Sequence, residues 1–178
     1  MSDPIFNAFL TRQLEEGLAL ARSSDILALF PQPVPVPGQP PSQYVAEFKC
    51  RGLVKDPLAG VIPAERFAVG IRFPHDYLRR VDPGQAVCLL FPHNVWHPNV
   101  HAPFICVGRL RPGTPLVDSL YQLFEIFTWN RYTLADPLNP EASQWARANM
   151  DRNLFPTDRR PLKRQASGRQ TAVGGLAS

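Results

Sequence analysis

Cysteine and lysine are both scarce in this chain: Cys50, Cys88 and Cys106 face Lys49, Lys55 and Lys163 in 178 residues. An odd number of cysteines at irregular spacing argues against a disulfide framework and leaves the thiols free or ligating. No apolar run approaches the roughly 20 residues that a spanning helix needs. The opening MSDPIFNAFL also lacks the charged start and apolar stretch of a signal peptide. The expectation is a cytoplasmic protein with no membrane partner. A basic face is missing too. Residues 151–178 carry six basic and two acidic side chains, which accounts for the whole net charge of +4 and leaves the first 150 residues balanced. Nothing there would track a phosphate backbone, so nucleic acid is not an expected partner. Arginine makes up the rest of the nineteen basic residues, a bias whose simplest source is a GC-rich bacterial genome.

What is present suits one core. With 44% hydrophobic residues, the length supports a single domain, expected over residues 1–156, with residues 157–178 a basic, disordered tail. Asp3-Pro4 reads as an N-cap and first helical position, followed by Phe6, Phe9, Leu10, Leu14, Leu18 and Ala21 at helical spacing. A strand at Ile26–Phe30 precedes a proline-rich connector that begins at Pro31. Tyr44, Ala46, Phe48 and Cys50 share one strand face; Phe67, Val69, Ile71 and Phe73 share another; Ala86–Phe91 is a third apolar run. Turn residues between them favour an antiparallel arrangement. Thr114-Pro115 and Asn139-Pro140 announce two later helices. The pattern predicts an α+β fold: an N-terminal helix, a four-stranded antiparallel meander, a cysteine-bearing loop and C-terminal helices.

The chemistry centres on HPNVHAPFIC, residues 97–106. Cys106 could be a nucleophile, a ligand or a buried small hydrophobe, the last being the common state of an intracellular cysteine and the reading for Cys50 and Cys88. His93, His97, His101 and Cys106 fall at intervals of four, four and five, and imidazole with thiolate suits zinc. Pro92, Pro98 and Pro103 interrupt any helix that would align them, which removes the geometric force of that spacing. A cysteine hydrolase using His93 or His101 as base would need a spatial pairing that sequence proximity does not supply.

His97-Pro98-Asn99, Ile105-Cys106, Asp136-Pro137-Leu138 with Pro140-Glu141-Ala142, and Phe73-Pro74-His75-Asp76-Tyr77 occur in this order. Together they resemble the ubiquitin-conjugating enzymes over roughly residues 3–155. The resemblance implies that Cys106 accepts a ubiquitin-like modifier from an activating enzyme as a thioester and passes it to a lysine amine of a target protein. It implies no cofactor and no metal. Asn99 would supply the oxyanion donor, a position worth about 10² to 10³ in rate, or else hold the active-site loop. His97 would be structural. A free lysine of pKa ~10.4 is neutral in only about one molecule in 2,500 at pH 7. The acidic position, here Asp136, would orient the incoming amine rather than ionise it, because a carboxylate stabilises the ammonium. Asn99 stands one residue nearer the cysteine than is usual in the family. Divergent bacterial members occur in operons with a modifier and its activating enzyme, some of them antiphage defence systems. A non-catalytic binding module on the same fold is the rival expectation, although such variants typically lack the cysteine.

Overall fold

The computed structural model describes residues 3–108 and 110–164. Helix α1 (Pro4–Arg22) begins where the sequence predicts: the Asp3 carboxylate accepts from the Ile5 and Phe6 amides, and proline takes the first turn. Its buried face is Phe6, Leu10, Gln13, Gly17 and Leu20, with Phe9, Leu14, Leu18 and Ala21 on its flanks. Gly17 sits there for a steric reason. A Cβ would lie 2.8 Å from Leu116 Cδ2 and 2.9 Å from Leu29 Cδ2, so any larger residue would make both leucine side chains shift.

Next come strands β1 (Leu27–Gln32), β2 (Gln43–Phe48), β3 (Gly52–Asp56), β4 (Gly60–Ala64) and β5 (Phe67–Arg72). A single turn, α2 (Pro83–Ala86), leads into β6 (Val87–Phe91). Four of these strands form an antiparallel sheet in the order β1-β2-β5-β6. The predicted inward faces hold: Tyr44, Ala46, Phe48, Phe67, Val69, Ile71 and Phe73 are all buried. Two details differ from the expectation. The chain does not run directly from β2 to β5, because β3 and β4 make a separate hairpin. Pro31, expected in the connector, belongs to β1, where it faces Tyr44. β1 is an edge strand, so the missing N–H of proline costs no ladder bond on the open side.

After the short hairpin β7 (Val100–His101) and β8 (Phe104–Ile105) come helices α3 (Leu116–Phe127) and α4 (Pro140–Asn149), the latter ending in a 3-10 turn, Met150–Arg152. Helix α3 buries Leu116, Leu120, Leu123 and Phe127 essentially completely, each such side chain contributing about 1.5–3 kcal/mol. Thr114 was expected as its cap. The cap position is Pro115, which offers no side-chain acceptor, while Thr114 Oγ1 bonds with Arg111 instead. The duty passes to Gln13 on α1, whose buried Oε1 accepts from the Leu116 amide at 2.7 Å. In α4 the prediction stands: Asn139 Oδ1 accepts from the Ala142 amide at 3.0 Å.

The expected boundary after Pro156 is corrected for residues 157–164, which pack on the body. Leu162 is buried in the core. Asp158 accepts from the Arg51 amide at 3.0 Å and from Arg160 at 2.7 Å, and the Arg164 amide donates to Ser23. One apolar residue in a basic stretch carries little periodic signal, yet it suffices to dock the segment beneath α1 and α3. Residues 165–178, the remainder of the predicted tail, lie outside the described residues. No described helix is long and apolar enough to cross a membrane.

Candidate active site around Cys106

The loop that carries Cys106 is fastened before it turns. The Lys55 amide donates to the Asn94 carbonyl at 2.9 Å and the Trp96 amide to the Leu53 carbonyl at 2.8 Å, so residues 94–96 run along β3. His97-Pro98-Asn99 then reverses the chain: the Asn99 amide donates to His97 Nδ1 at 3.0 Å and the Val100 amide to the His97 carbonyl at 3.1 Å. The β7–β8 hairpin returns the chain so that the Cys106 amide donates to the Asn99 carbonyl at 2.8 Å. Ile105 and Val107 are buried on either side, and strand alternation therefore turns Cys106 outward.

Asn99 is committed at both ends of its amide. Nδ2 donates to the Cys106 carbonyl at 3.1 Å, and Oδ1 accepts from the Thr133 amide at 2.9 Å. The shorter spacing to Cys106 thus leaves the side chain within reach of the cysteine's backbone. Thr133 belongs to the loop between α3 and α4, whose far end is tied to the same turn: the Asn139 amide donates to the Pro98 carbonyl at 3.0 Å. Asp136 lies between these two fastenings, exposed, its side chain making no hydrogen bond or ion pair among the described residues. Leu134, two residues before it, is held by Arg147 and Ser143 of α4. The sequence-predicted residues Cys106, Asn99 and His97 therefore share one turn and hairpin, and the Asp136 loop is bound to that turn.

His97 is fully buried and edge-on to Trp129, with ring centroids 4.5 Å apart. Burial lowers its pKa to about 3, against a smaller opposing influence from the Arg131 backbone. It is a neutral, structural imidazole whose Nδ1 is already an acceptor and whose Nε2 has no partner of hydrogen-bonding geometry among the described residues. The four residues of the zinc alternative do not come together among the described residues. No group of three or more potential ligands converges among the described residues, and His93 and His101 line a separate recess of about 440 Å³ with Trp96 and Lys55. Among the described residues no hydrogen bond joins the Cys106 thiol to a histidine, so the pairing that the hydrolase alternative needs is not formed there.

The three cysteines differ in accessibility. Burial pushes the Cys50 thiol up to about 12, which leaves it inert as a nucleophile. Cys88, expected to be buried, is half-buried, and Cys106 is exposed. A larger recess of about 680 Å³ lies elsewhere, where Asp158 and Arg160 fasten the chain against Lys49 and Arg51. It holds no exposed thiol.

Two neighbours of the site escaped sequence reasoning. Trp129, just past the end of α3, has a φ of 57°, the left-handed region where glycine is usual at a helix C-terminus. Its ring lies 4.3 Å from Phe155 at an interplanar angle of 8° and touches Trp145. That packing offsets a backbone cost on the order of 1–3 kcal/mol. Arg131 follows two residues later, and its Nη2 would lie 2.8 Å from a Cβ on Gly108. A bulky residue at a glycine position leaves no mark in the hydrophobic period.

Neither a scan against models of known protein families nor a search of curated proteins finds a match to this chain.

Proposed function

We propose that the protein is a conjugating transferase for a ubiquitin-like modifier, charged on Cys106 as a thioester and discharged to a lysine amine of a target. One observation carries the reading: an exposed thiol stands on a hairpin whose conformation is held by Asn99, and the same side chain binds the loop that bears Asp136. The thioester is already activated, so transfer calls for positioning and charge stabilisation more than for a strong base. Asn99, spent on two backbone groups, keeps the cysteine hairpin and the acidic loop in register. Asp136, exposed and unpaired, is free to accept a hydrogen bond from an incoming ammonium or amine. His97 contributes rigidity. Activating enzyme, modifier and target protein are the partners this reading requires, with a bacterial defence operon as the setting.

The test is incubation with an activating enzyme, its modifier and ATP. An adduct that thiol reductant removes, and that Cys106→Ser converts to a reductant-resistant ester or abolishes, supports the reading. The same reductant-sensitive adduct in the serine variant would overturn it, as would a wild-type protein that never charges.

A further inference from the structure

Thioester aminolysis places a negative charge on the acyl oxygen, and a donor must meet it. The Asn99 amide is an incomplete answer, because one of its N–H groups is held by the Cys106 carbonyl and its oxygen by Thr133. A second donor stands nearby. Arg131 is exposed, and its guanidinium makes no hydrogen bond or ion pair among the described residues. It lies against bare backbone at Gly108, where φ is +88° and an added Cβ would be 2.8 Å from Nη2. Gly108 is two residues beyond Cys106, a chain separation of at most about 7 Å.

The position of Arg131 is built rather than incidental. Its amide and that of Asn130 both donate to the Glu125 carbonyl, at 3.1 and 2.9 Å, closing the end of α3. The left-handed turn at Trp129 redirects the chain there, and the buried His97 ring packs against that same tryptophan. Two residues further on, Thr133 is pinned by Asn99. Arg131 is therefore gripped on both sides while its five N–H donors stay unspent.

We propose that Arg131 binds the carbonyl oxygen of the acyl group on Cys106 and bears the negative charge that forms there during transfer, an inference that rests on the function proposed above. The amine nitrogen attacks the thioester carbon, and the carbonyl electron pair moves onto the oxygen facing the guanidinium. The pair then returns as the C–S bond breaks, leaving the Cys106 thiolate, and the amine proton passes to water. Gly108 serves the same end by keeping the guanidinium's path open.

Alkylation of Cys106 in the isolated protein tests this without any partner, using iodoacetate, which carries a carboxylate, and iodoacetamide, which does not. The ratio of the two rates should fall about fivefold in Arg131→Gln, since unit charges ~4 Å apart in water attract by about 1 kcal/mol, and Arg131→Lys should restore most of it. Salt near 1 M, where the Debye length falls to about 3 Å, should shrink the difference. A general disturbance of the hairpin would move both reagents alike, so an unchanged ratio overturns the proposal. In the charged protein, single-turnover discharge to free lysine should slow by about 10²-fold in Arg131→Gln, while equal discharge rates would also overturn it. A wild type that never charges but shows the ratio shift sinks the conjugating function and with it the acyl assignment, leaving only an anion site beside the thiol.

Discussion

Asn99 and Thr133, far apart in sequence, are joined by a 2.9 Å hydrogen bond from the Thr133 amide to the Asn99 side chain. The opposite end of that side chain holds the Cys106 carbonyl at 3.1 Å. Replacing Asn99 by alanine should therefore remove two part-buried hydrogen bonds at once, a loss of about 0.5–1.5 kcal/mol for each. Hydrogen exchange at the Thr133 amide should accelerate sharply while sheet amides such as Val69 keep their protection. Asn99→Asp retains the acceptor for Thr133 and loses the donor to Cys106, so Thr133 protection should survive in that variant. An Asn99→Ala protein with unaltered exchange at Thr133 would show that the side chain does not hold the loop.

Acid should weaken the fold in two windows. The His97 imidazole, at about 3 when folded against 6.5 for an ordinary histidine, binds its proton only in the unfolded state between those values. Its contribution is complete above pH 6.5 and declines as the pH falls toward 3, by up to about 1.4 kcal/mol per pH unit. For Asp158, burial alone would raise the carboxyl, but hydrogen bonds from Arg160 and from the Arg51 amide outweigh it and leave the group at about 2. Its share of the stability is present above the ordinary value of 3.8 and disappears as the pH falls through 2. An NMR titration should show the His97 ring resonances flat from pH 8 to about 4; a midpoint near 6.5 would contradict the buried, neutral imidazole.

The segment past Pro156 should be worth several kcal/mol. Leu162 is 2% exposed, and Leu162→Ala should cost about 2–5 kcal/mol. A chain ending at Pro156 should lose at least as much, because the Asp158 bond to Arg51 and the Thr157 amide bond to the Thr128 carbonyl go with it. A chain ending at Arg164 should keep the leucine and all of these bonds. Denaturant midpoints of the two truncated chains decide the matter, and equal midpoints would mean that residues 157–164 contribute nothing.

Much of this architecture was legible from local rules. Asp3-Pro4 and Asn139-Pro140 cap their helices as read, because an N-cap needs only one acceptor side chain at the right offset. Strand alternation named Tyr44, Ala46, Phe48, Phe67, Val69 and Ile71 as inward-facing, because a pleat has a fixed period of two. Those signals travel over a few residues, and so does the HPN turn that places Asn99 opposite Cys106.

What the sequence by itself determined is thus the α+β class, the order of most elements and the neighbourhood of His97, Asn99 and Cys106. Only the tertiary structure decided which polar groups those side chains meet. Gln13 caps α3 across 103 residues, Asn99 reaches Thr133 across 34, and Asp158 holds Arg51 across 107; no local pattern encodes such pairings. Trp129 takes a glycine's conformation because Phe155, Trp145 and His97 enclose its ring, and that choice sets Arg131 against Gly108. Local propensity disfavours a tryptophan there by a few kcal/mol at most, and aromatic packing gathered from three distant segments outweighs it.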